Sequence, residues 1–108
     1  MQAVEIRKDI YWVGAIDWSM RSFHGYATSR GSTYNAYLII DDKITLIDTV
    51  KAEFSEELLA RVSSVIDPAR IDYIISSHVE PDHSGAIPFM AQRCPNAKII
   101  TSLPNGLK

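Results

Sequence analysis

The stretch 74-IISSHVEPDHSGAIP-88 decides how this chain is read. It opens on apolar, β-favouring residues. It then sets His78, Glu80, Asp82 and His83 within six residues, and closes on Ser84-Gly85, a turn signal. Working outward, 71-IDYIISS-77 reads as a strand whose continuous apolar centre predicts burial on both faces. A short helix is expected from about Gly85 to Arg93. Pro88 is tolerable there because it falls in or near the first turn, where its missing N–H is not needed. A further strand, 97-AKIITS-102, follows. Upstream, residues 53–66 place Phe54, Leu58, Leu59, Val62, Val65 and Ile66 at helical spacing, and Asp67-Pro68 is expected to end that helix. Before it, 36-AYLIID-41 and 44-ITLID-48 predict a hairpin around Asp41-Asp42-Lys43. Lys8 to Gly14 predicts one more strand. Strands alternating with helices define an α/β layered domain.

Two segments stand apart. Residues 15–35 are long, polar and rich in Gly, Ser and Thr, which predicts a functional or mobile loop. At the other end, Ser102 or Thr101 followed by Pro104 reads as a helix start, and the chain stops there. The expectation is the N-terminal part of a longer domain. With 108 residues, 46% of them hydrophobic and 22% charged, the composition is that of an ordinary globular chain. A net charge of -2 gives no electrostatic case for nucleic acid or an anionic membrane. No run approaches the roughly 20 apolar residues of a membrane span. The single cysteine, Cys94, cannot form an internal disulfide, and with no signal-peptide pattern a reducing, cytoplasmic setting is expected.

The chemistry concentrates after the 71–77 strand. If residues 78, 80 and 82 stay extended, their side chains share one side of the chain, and His83 turns toward the next helix. Ligand sites in α/β sheets favour this edge. Four mixed nitrogen and oxygen donors suit iron, zinc or manganese, and the lack of thiolates disfavours a zinc finger or an iron–sulfur cluster. A cation would also relieve repulsion between the clustered carboxylates. The alternative is a polar strand-to-helix loop in which Asp82 caps the helix. Elsewhere, Trp12, Trp18 and Tyr34 are expected to be packing residues, Cys94 a buried structural thiol, and Glu53, Glu56 and Glu57 the solvated first turn of a helix.

These motifs carry a family resemblance. The segment resembles the metallo-β-lactamase motif His-x-His-x-Asp-His, with Glu80 where the hydrolases carry histidine. His-x-Glu-x-Asp-His looks like the flavodiiron proteins, and 13-VGAIDW-18, 23-FHGY-26, 31-GSTYNAYLI-39 and 46-LIDTVKAEF-54 agree in order. The resemblance implies the N-terminal half of a metallo-β-lactamase-like αββα sandwich, a mixed sheet with helices packed on it, spanning residues 1–108. It implies that His78 and Glu80 bind one nonheme iron, and Asp82 and His83 a second. Such enzymes reduce O2 to water or NO to N2O with electrons from FMN, fed by a rubredoxin-like donor, in a homodimer or higher oligomer. Exchanging imidazole for carboxylate at residue 80 also hardens the site in the direction of iron.

The resemblance further implies a histidine for each iron and a bridging aspartate, all downstream of the motif. The third histidine here, His24, lies upstream instead, so the iron site is expected to be incomplete in this chain, and FMN not bound by it. By the same resemblance His24 lies in the substrate pocket without being a ligand, and Tyr26 could line that pocket. Asp48 is either a turn aspartate or a residue that orients a ligand histidine by hydrogen bond. Two other functions remain open. One is a zinc-dependent hydrolase of the same superfamily, thioesterase-like, using metal-bound water. The other is a non-catalytic truncated domain.

Overall fold

The computed structural model describes residues 1–17, 32–77 and 85–101. Among them are eight strands: β1 (Val4–Arg7), β2 (Ile10–Trp12), β3 (Ala15–Asp17), β4 (Ser32–Tyr34), β5 (Tyr37–Ile40), β6 (Ile44–Ile47), β7 (Tyr73–Ser76) and β8 (Lys98–Thr101). The two α-helices are α1 (Ser55–Ser63) and α2 (Ile87–Arg93). Six strands form one mixed sheet in the order β1-β2-β5-β6-β7-β8. Its first four strands pair antiparallel, as tight turns allow. The β6/β7 and β7/β8 pairs are parallel, which requires crossover segments, and α1 and α2 lie in them.

Burial alternates along the central strands because successive side chains point to opposite faces. Leu38, Leu46 and Ile74 stand in one register row and are fully buried. They share a core with Leu58 and Val62 of α1 and Met90 of α2. The other row, Tyr37, Ile47, Ile75 and Ile100, is half-buried. Strand β7 is therefore sealed on one face, with Ile74 and Ser76 buried, and only half-covered on the other. Its continuous apolar sequence overstated the second face.

The predicted hairpin, the helix with Pro88 in its first turn, and the strands at 73–76 and 98–101 are all present. Three elements differ. Lys8 and Asp9 form a turn, with Asp9 at φ 65°, and a further edge strand, β1, precedes it. Its four residues are all exposed, so it carries no burial signal. The 15–35 stretch begins and ends in strand, since β3 and β4 pair antiparallel with Asp17 opposite Ser32. Gly14 permits that pairing, because a Cβ there would stand 1.9 Å from the Tyr34 carbonyl oxygen. Third, the helix expected over residues 53–66 is shortened at both ends. Ala52–Phe54 is a 3₁₀ turn, and α1 ends before Ser64. Ser64 turns its hydroxyl back to the Arg61 carbonyl (2.6 Å), a local bond that competes with helix continuation. Asp67 starts a new turn instead, accepting from the Ala69 N–H at 3.0 Å. The expected helix start after Thr101 lies outside the described residues.

The aromatic residues pack as expected. Tyr34 is buried with its ring 5.7 Å from that of Phe54. The Arg61 guanidinium lies 4.7 Å over the Trp12 ring, whose indole N–H donates to Asn35 Oδ1 at 3.0 Å. Trp18 lies outside the described residues. Among those residues no helix is long and apolar enough to cross a membrane.

Cys94 is only 1% exposed, and burial, helped by the charge of Asp67, pushes its thiol pKa up to about 11. A raised pKa means that deprotonation opposes the folded state. The thiol is neutral at and below pH 9, and stability is expected to decline as pH rises from about 9 toward 11. At pH 8 about 0.1% of such a thiol is ionised, against roughly a quarter of an unperturbed one near 8.5. Thiol-reagent labelling at pH 8 is therefore expected to be at least ~100-fold slower in native than in denatured protein. Equal rates would contradict the buried, inert assignment.

Candidate functional site

Strands β6 and β7 run parallel, so their C-terminal ends meet at one edge of the sheet. The sequence that follows β6 is Asp48-Thr49-Val50, and all three residues are buried. The Asp48 N–H donates to the Ile75 carbonyl at 2.7 Å, continuing the ladder one step beyond the strand. Its backbone then takes φ 63°, the left-handed region. That conformation costs roughly 1–2 kcal/mol for an L-residue, and aspartate is among those that tolerate it best. There the carboxylate meets the residue after β7. Asp48 Oδ1 accepts from the Ser77 N–H at 2.8 Å, and Oδ2 accepts from the Ser77 hydroxyl at 2.7 Å.

The same three residues hold the chain again nine positions on, at Ala86. The Ala86 N–H donates to the Val50 carbonyl at 3.0 Å. The 48–50 segment thus binds the chain at Ser77 and again at Ala86. Both anchors sit at the sheet edge where α/β folds place their ligand sites.

The sequence-predicted site residues divide sharply. His78, Glu80, Asp82 and His83 lie outside the described residues, as do His24 and Tyr26. Asp48 is described, and its carboxylate binds Ser77, which immediately precedes His78. Sequence reasoning missed Ser77. Its signal was the matching position of two polar residues, Asp48 and Ser77, just past two adjacent parallel strands. Among the described residues no three His, Cys, Asp or Glu side chains converge as a metal-holding group. Glu56 and Glu57 occupy the first turn of α1 and Glu53 the 3₁₀ turn before it, where negative charge suits the helix dipole.

The mixed sheet with helices packed on it has the metallo-β-lactamase-like fold of the solved relatives below. A family model described as ODP family beta lactamase matches residues 33–105, and the chain belongs to that family. It is 54% identical over 103 residues to the rubredoxin-oxygen oxidoreductase of Megalodesulfovibrio gigas, covering 94% of this chain and 26% of that one. It is 50% identical over 101 residues to the nitric oxide reductase of Moorella thermoacetica, covering 92% of this chain and 25% of that one. The solved rubredoxin oxygen:oxidoreductase from Desulfovibrio gigas superposes with a TM-score of 0.85 at 53% identity, over 94% of this chain and 25% of that structure. The flavodiiron protein from Giardia intestinalis does so with a TM-score of 0.81 at 39% identity, over 92% and 24%. The chain thus spans about a quarter of the length of these relatives.

Replacing Asp48 tests the anchor. Asp48→Ala removes a charged acceptor from two donors and leaves a Cβ in the left-handed conformation. The expected loss is about 3 kcal/mol in chemical denaturation, with Asp48→Gly milder by about 1 kcal/mol because glycine accepts that backbone. Equal losses for the two would show that the backbone conformation carries no strain.

Proposed function

We propose that residues 1–108 form the partial, metal-bearing N-terminal domain of a flavodiiron oxidoreductase that reduces O2 to water, NO to N2O, or both. The observation that carries this reading is the donor set that begins one residue beyond the Asp48–Ser77 anchor. The chain emerges at Ser77 from the parallel edge of the sheet, and His78, Glu80, Asp82 and His83 follow at once. These donors fit iron. Two imidazoles and two carboxylates without a thiolate form a borderline-to-hard set, and two histidines with one carboxylate are the ligand type of oxygen-activating nonheme iron. The names of the relatives, an oxygen oxidoreductase using rubredoxin and a nitric oxide reductase, point the same way.

In this reading His78 and Glu80 hold one nonheme iron, and Asp82 and His83 hold the second. Iron bound there would supply the one-electron redox chemistry that O2 or NO reduction needs. The chain's own part is to fix the donors. Asp48 grips Ser77 at one end of the segment and Val50 grips Ala86 at the other. His24 and the loop around it line the substrate pocket. Two further histidines, a bridging aspartate and the FMN-binding domain belong to the rest of the protein. Electrons come from a rubredoxin-like carrier through FMN, and a homodimer or higher oligomer brings one subunit's flavin to the other's irons. The setting is cytoplasmic.

The test uses the full-length protein loaded with iron and FMN. With a reduced rubredoxin-type donor it is expected to consume O2 or NO, and Glu80→Ala to lower that rate by about 100-fold or more, since even partners of metal ligands matter 10–100-fold. The isolated 108-residue chain is expected to consume neither. Zinc-dependent thioester hydrolysis without O2 or NO consumption would favour the hydrolase reading instead.

A further inference from the structure

We draw no further inference here: the strongest candidate, the outer edge of strand β1 with Val4 and Ile6 exposed along it, carries nothing, because the register shift between Glu5 and Arg7 breaks the flat edge that a pairing strand needs and nothing in the structure shows what covers it.

Discussion

A buried aspartate with a left-handed backbone joins the two parallel strands at their C-terminal edge. Asp48 can do this only because β6 and β7 are neighbours in register, with Ile47 opposite Ile75. That neighbourhood depends in turn on α1 crossing between them and burying Leu58 and Val62 against Leu46 and Ile74. The hydrophobic core thus sets the strand pair, and the strand pair sets the distance from Asp48 to Ser77. Fully burying each such side chain contributes about 1.5–3 kcal/mol, so the core supplies the rigidity that a strained residue at the edge requires.

The parts of the fold with strong periodicity were legible in the sequence. The hairpin of β5 and β6, the amphipathic face of α1, and the strands before and after α2 all follow from apolar spacing and from proline placement. What escaped carries no sustained apolar periodicity. Strand β1 is exposed along its whole length, and β3 and β4 are three-residue strands within a polar stretch. Their pairing depends on a close backbone approach at Gly14 that no periodicity encodes. The end of α1 escaped for a different reason. Ser64 competes locally with the helix before Asp67-Pro68 is reached.

The candidate site is read from residue type alone, since its four donors lie outside the described residues. His78, Glu80, Asp82 and His83 stand out as candidate donors because they fall within six residues and the two carboxylates among them repel each other without a cation. Asp48 stood out as the polar end of a buried strand. Asp48 reads either as a turn aspartate or as a residue that orients a ligand histidine, and among the described residues its carboxylate accepts from Ser77. A contact across 29 residues becomes visible only once the strand order is known.

The proposed chemistry joins a family fold shared with hydrolases to one exchange of donor, glutamate in place of histidine at residue 80. Metal identity separates the redox reading from the hydrolytic one more directly than any turnover assay. The most direct measurement is the iron and zinc content of the full-length protein isolated without added metal. About two irons per chain with little zinc is the expected result for a two-metal site of this donor set. Zinc in place of iron, or no bound metal, would contradict it.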